Sequence, residues 1–188
     1  MWVAGDGAVL IVVDVQKGFV SPSSERVVPR VVDLLTRWRA AGRPYVLTRF
    51  VNQSGSLFEQ LMGWTRVANS PETDLVPELG EFVDGAAAVI DKRGYSFFMA
   101  EGRLLLQSRG WSEFVIAGIA TDACVLKTAV DAFEAGSIPW VVSDACASEA
   151  SEEAHAAGLQ VLGRLIGRRQ LLTTDKLFDR FPSLAEDR

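Results

Sequence analysis

Three residues able to perform acyl-transfer chemistry each follow a short apolar run. Asp14 follows residues 9–13, Lys92 follows residues 86–90 and Cys124 follows residues 114–117. Each has a plainer reading when taken alone. An aspartate closing a strand serves as a helix cap, a basic pair such as Lys92-Arg93 as a solvated loop, and a free cysteine as a small buried hydrophobe. Brought together, a thiol, a carboxylate and an ammonium make a nucleophile with a proton acceptor and a charge that stabilises the thiolate. Cys124 also sits where a turn runs into a helix, and a helix N-terminus lowers a thiol's pKa and can hold an anion on its N–H groups. Other chemistries are poorly supplied. The chain has one histidine, His155, and two cysteines, Cys124 and Cys146, 22 residues apart with no C-x-x-C pair. Neither a zinc site nor a Ser-His-Asp triad is favoured. There is no G-x-G-x-x-G after a strand and no phosphate-binding P-loop, so nucleotide readings lose their usual support.

The elements that must position these groups alternate along the chain. The run at 9–13 is apolar and rich in β-branched residues, as in a strand buried on both faces. Helical spacing follows over 28–39, then a strand over 44–47 and an irregular stretch from 52 to 85 broken by Pro71 and Pro77. Strands at 86–90, 114–117, 138–142 and 170–172 alternate with helices at 101–109, 123–135 and 152–166. Six strands alternating with helices predict an α/β fold, a parallel sheet covered on both faces. In such sheets ligands bind beyond the carboxyl ends of the strands, where the strand order reverses. All three reactive groups would lie on that edge.

Composition bounds the class. The 188 residues are 48% apolar and 23% charged, near the globular average. A chain of this length buries about 70% of its unfolded surface, so one domain folds without disulfide or metal. The net charge of −5 argues against nucleic acid or an anionic membrane as the main partner. The first residues carry neither a basic segment nor a long apolar run, and two cysteines are too few for a disulfide framework, so a cytoplasmic protein is expected.

Three segments together resemble the isochorismatase-like cysteine hydrolases: Val12-Val13-Asp14-Val15-Gln16-Lys17-Gly18-Phe19, Asp91-Lys92-Arg93-Gly94-Tyr95-Ser96-Phe97-Phe98, and Gly118-Ile119-Ala120-Thr121-Asp122-Ala123-Cys124-Val125. Their order and spacing match, and the alternation of elements fits that family over about residues 8–175, within one domain spanning 1–188. The resemblance implies a three-layer α/β/α fold whose six-stranded parallel sheet has order 3-2-1-4-5-6, in subunits that assemble as homodimers or larger homo-oligomers. It also implies a catalytic Asp14, Lys92 and Cys124, with a cis peptide between Ile119 and Ala120. That peptide would aim the Ala120 N–H, with that of Cys124, at a developing oxyanion. No cofactor is implied.

Departures from relatives narrow the activity. Nicotinamidases of the family carry an Asp-x-His segment after the second strand and a further histidine that hold a metal. Here the matching stretch is Thr48-Arg49-Phe50-Val51-Asn52-Gln53. Isochorismatases cleave a vinyl ether with the aspartate as acid and often lack the cysteine, which this chain keeps. The expected function is a metal-independent cysteine hydrolase acting on a small amide, carbamoyl or ureido compound. A vinyl-ether hydrolase and a non-catalytic ligand-binding member are the alternatives.

Phe19, Phe50, Leu57, Trp64, Tyr95 and Phe98 are candidate pocket walls, with core or subunit contact as the plainer reading. Of these, Phe19, Trp64 and Tyr95 are the expected substrate contacts. Arg49 joins them as a possible bidentate partner for a substrate carboxylate. Cys146 reads as structural, because neither an acid nor a base accompanies it.

Overall fold

A computed structural model describes residues 7–180 of the chain. The N-terminal segment on which the reading of the leader rests lies outside the described residues. Six parallel strands form one sheet: β1 (Ala8–Val13), β2 (Tyr45–Phe50), β3 (Ala88–Lys92), β4 (Glu113–Ile119), β5 (Ile138–Ala147) and β6 (Leu171–Leu172). Their spatial order is β3-β2-β1-β4-β5-β6, and every ladder is parallel. This is the expected architecture.

The two cores follow from the pleat, which sends successive side chains to opposite faces. In β1, Leu10 and Val12 pack under α1 (Val27–Ala40), while Val9, Ile11 and Val13 face the other layer with Phe114 and Ile116 of β4. Helix α1 buries Val31, Leu34, Leu35 and Trp38 on one stripe, the 3.6-residue period that the sequence shows. The opposite layer is built from α4 (Ala100–Arg109), α5 (Leu126–Glu134) and α6 (Glu152–Leu162), and α7 (Thr174–Arg180) closes the described chain on the α1 face. Between β2 and β3 the irregular stretch holds the short helices α2 (Leu57–Met62) and α3 (Gly80–Val83), the latter preceded by a 3-10 turn at Pro77–Leu79. No helix among the described residues is long and apolar enough to cross a membrane.

Strand ends differ from the sequence expectation in ways that matter for the site. β2 runs three residues further than expected, so Arg49 lies within the strand, and β3 ends on Lys92 itself. β5 is twice the expected length, reaching Ala147 through a register shift against β4 between Ile116 and Gly118. At that irregularity Gly118 has φ +120°, and a Cβ there would stand 2.0 Å from the carbonyl oxygen of Val13. The close approach holds the end of β4 against the end of β1. Gly118→Ala is expected to cost at least about 3 kcal/mol, since it combines an unfavourable backbone angle with overpacking. Urea unfolding measures this directly, and a loss below about 1 kcal/mol would show that the strand ends are not so tightly coupled.

Candidate active site

Asp14 is the first residue past β1. It is fully buried, with a left-handed φ of 49°. A carboxylate cannot be buried alone without a large desolvation cost, and its neighbours supply the compensation. Its N–H donates to Thr48 Oγ1 at 3.2 Å, and the Thr48 hydroxyl donates to Asp14 Oδ1 at 2.7 Å. The other oxygen, Oδ2, lies 2.5 Å from Lys92 Nζ in an ion pair whose two side chains are 1% and 0% exposed. Beyond that contact Oδ2 has no hydrogen-bond donor. Gln16 fastens the loop after β1 to the end of β2, donating to the Phe50 and Thr73 carbonyls while its Oε1 accepts the Phe50 N–H.

Lys92 comes from β3, two strands away, and its long stem brings the ammonium to the sheet centre past the Phe50 ring, 5.5 Å from the ring centroid. The ammonium donates to the carbonyls of Gly94 and Tyr95 at 2.9 and 3.0 Å and to Cys124 Sγ at 3.5 Å. Burial acts to lower its pKa. Asp14 and Cys124 act the other way and prevail, so the lysine's pKa is raised and it stays charged at neutral pH. The three residues picked from strand ends therefore meet in one buried cluster at the β1/β4 switch point.

Cys124 lies in a single wide turn, Thr121–Val125, that precedes α5. The sequence reading merges this turn with the helix. α6 holds it in place. A Cβ at Gly158 would stand 2.9 Å from the Asp122 backbone, and Thr121 Oγ1 is 2.7 Å from His155 Nδ1. The lone histidine thus braces the turn that carries Cys124, and burial holds its pKa below the ordinary value. The Ile119–Ala120 peptide is cis, and the Ala120 carbonyl accepts the N–H groups of Ala123 and Val125.

The thiol itself departs from expectation. A helix N-terminus should acidify it, yet burial raises its pKa well above the ordinary thiol value. The nearby Asp14 charge raises it further, with Lys92 opposing. Desolvation of a thiolate outweighs the dipole here. Cys124 rests as a neutral thiol beside a charged Asp14–Lys92 pair.

A cavity of about 300 Å³ opens over Cys124. Phe19, Phe50, Trp64 and Tyr95 line it, as do Ala120 and Cys124. The expected walls need three corrections. Leu57 is 67% exposed on the outer side of α2, and the next residue, Phe58, lines the cavity instead, with its ring 5.1 Å from that of Phe50. A one-residue step on a helix turns a side chain by about 100°. Phe98 is buried in the core against Phe97 and Phe114. Arg49 does not line the cavity and is engaged in a bidentate pair with Asp91 at 2.6 and 2.9 Å, because β2 and β3 pair these two residues in register. Besides Phe58, the lining adds Met62, Ile119, Ala123 and Glu149. Met62 shares α2 with Phe58. Glu149 follows the unexpected extension of β5, so the short strand read from sequence hid it. Cys146 is buried, its thiol pushed up to about 12 by burial, with its sulfur 4.0 Å from the Ile116 carbonyl. Among the described residues no three His, Cys, Asp or Glu side chains cluster so as to hold a metal ion.

A parallel sheet covered on both faces, with a buried thiol where its strand order reverses, is a doubly wound α/β fold. The chain belongs to the isochorismatase family, a family of hydrolases, since the Isochorismatase domain model matches residues 8–170. It is 30% identical over 177 residues to the uncharacterised isochorismatase family protein YwoC of Bacillus subtilis, covering 90% of this chain and 92% of that one. It is also 30% identical over 176 residues to Nicotinamidase 3 of Arabidopsis thaliana, covering 90% and 86%. Its fold superposes on a cysteine hydrolase from Pseudomonas syringae pv. phaseolicola with a TM-score of 0.83 at 21% identity, covering 98% of this chain and 97% of the other.

Proposed function

We propose that the protein is a cysteine hydrolase, working without a metal, that cleaves the C–N bond of a small amide, carbamoyl or ureido compound. The observation that carries this reading is the contact of Cys124 with the Asp14–Lys92 ion pair at the cavity floor. Because the resting thiol is neutral, the first step is proton transfer. Asp14 takes the thiol proton as the sulfur attacks the carbonyl carbon, and Lys92 stabilises the sulfur's developing charge. The carbonyl oxygen becomes an oxyanion held by the backbone N–H groups of Ala120 and Cys124. When the tetrahedral intermediate collapses the C–N bond breaks, and Asp14 returns the proton to the leaving nitrogen. A water then attacks the thioester and gives its proton to Asp14, which passes it to the departing sulfur. Acid and amine leave, and the triad is restored. The enzyme is proposed to act in the cytoplasm as a homodimer or larger homo-oligomer.

Nicotinamide is not the expected substrate, although one relative is a nicotinamidase. The stretch from Thr48 to Gln53 offers no histidine, and no donor cluster stands beside the cavity among the described residues. A panel of small amides, ureido acids and carbamoyl compounds, assayed for ammonia or amine release, should contain a substrate whose hydrolysis EDTA leaves unchanged. Rapid-quench mass spectrometry of the intact protein should show a transient acyl adduct on Cys124. Loss of activity on chelation, or turnover with no adduct under any quench, would overturn the reading.

A further inference from the structure

The charges around the cavity do not balance. Asp14 and Lys92 neutralise one another at 2.5 Å, and Cys124 and Tyr95 both have raised pKa values and carry no charge at neutral pH. That leaves Glu149, whose carboxylate lines the same cavity. Its Oε2 is buried and has no hydrogen-bond partner, although its main chain is fixed by Ser21 Oγ, which donates to the Glu149 carbonyl. A buried acceptor left unpaired is costly and therefore asks for a ligand. The charged groups that act on it are Asp122, Arg66 and Asp14. The two aspartates repel it. Arg66 attracts it, but that guanidinium is already engaged by Glu72 at 3.1 Å and the Gly18 carbonyl at 2.9 Å. Burial is the largest influence and raises the glutamate's pKa; a cation seated beside it would favour the ionised carboxylate and offset that desolvation.

The rest of the cavity has the matching character. Five rings form its wall, and they interlock. Phe58 lies edge-on to Phe50 at 5.1 Å, to Trp64 at 5.9 Å and to Tyr95 at 5.2 Å, while Phe19 stacks on Trp64 at 6.1 Å. Aromatic faces attract cations, and cages of such rings are a recurrent means of holding ammonium groups. A carboxylate beside such a cage repels anions and favours a cation over its neutral isostere.

We propose that Glu149 is the specificity-determining residue of this cavity, and that the substrate carries a small organic cation, an ammonium group seated between the aromatic wall and the Glu149 carboxylate. The assignment rests on reading the cavity as the substrate site, and it deepens that reading by giving the substrate a charge. It also explains why Arg49 is not needed as a carboxylate clamp.

The test uses three para-substituted benzamides of similar size, bearing aminomethyl, methyl or carboxylate groups, and titrates each calorimetrically into the Cys124→Ala protein. The aminomethyl compound is expected to bind about tenfold more tightly than the methyl compound, and the carboxylate more weakly than either. Glu149→Gln should erase the difference between cation and neutral probe while leaving the methyl compound unchanged. Equal affinities, a preference for the carboxylate, or no binding of the cation would overturn the proposal before Glu149 is altered. So would a cation preference that survives Glu149→Gln. Hydrolysis of the same three compounds by the native protein is measured in parallel. Charge preference without hydrolysis leaves the Glu149 assignment standing and removes support from the hydrolase reading. Hydrolysis without charge preference does the reverse.

Discussion

With Cys124 replaced by alanine, hydrolysis falls by about 10⁴-fold or more while the protein still folds. The activity follows from the division of labour at the site, since no other side chain at the cavity floor can form the acyl intermediate. Asp14 and Lys92 remain but have only water to activate. The fold survives because the thiol holds little in place. The ammonium keeps Asp14 at 2.5 Å and the carbonyls of Gly94 and Tyr95, so no buried charge is stranded. The cost is a small cavity beside Val125 and the β4 core, about 1 kcal/mol. Paired measurement of kcat/KM and melting temperature checks both halves. Activity within about tenfold of the native protein would sink the thioester mechanism and favour an acid reaction on a vinyl ether by Asp14 alone. Cys146→Ala is the matched control. That thiol is buried against the Ile116 carbonyl and does not line the cavity, so turnover should not change.

The sequence made legible what repeats and what alternates. The sheet order and the convergence of Asp14, Lys92 and Cys124 both follow from strands that run parallel and present their carboxyl ends to one edge. The cis peptide before Ala120 leaves no trace in hydropathy; only the resemblance of the surrounding motif suggested it. Misplaced residues have local causes. By sequence Arg49 follows its strand, because Thr48 and Arg49 break the apolar run, yet pairing with β3 carries the strand on and gives Arg49 its partner Asp91. Glu149 was hidden for the mirror reason, since β5 continues through Ser143 and Asp144, polar residues that end a strand on propensity alone. Asp144 is satisfied across the sheet edge by the Thr174 N–H and hydroxyl, at 2.7 and 3.0 Å, a contact 30 residues away that no local pattern shows. In the irregular stretch from 52 to 85, aromatic composition identified a wall but could not settle which of two adjacent residues, Leu57 or Phe58, faces inward.

The Asp14→Asn variant separates the acidity of the nucleophile from its usefulness. In the native site Asp14 holds the thiol's pKa up by its charge, after burial has already raised it; Lys92 pulls the other way. Removing the aspartate's charge removes one of the terms that oppose ionisation and leaves the ammonium 3.5 Å from the sulfur. A buried ammonium without a counter-charge is costly, and the thiolate becomes the partner that relieves it. The thiol pKa should therefore fall by about one unit or more. Alkylation of Cys124 by iodoacetamide near neutral pH should then be about tenfold faster in the variant than in the native protein. Turnover should nevertheless drop by about 10³-fold or more, because no group remains to deliver a proton to the leaving nitrogen or to draw one from water. The native lysine's raised pKa sets the usable window. Its stabilising charge is present below the ordinary lysine value of 10.5 and is lost as pH climbs through the higher folded value. Labelling from about pH 6 to 9 thus compares the two proteins with the ammonium of the native site intact. A variant that labels more slowly than the native protein would show that Asp14 acidifies the thiol after all. The resting site would then be a preformed thiolate, and the proton transfer that opens the mechanism would have no place in it.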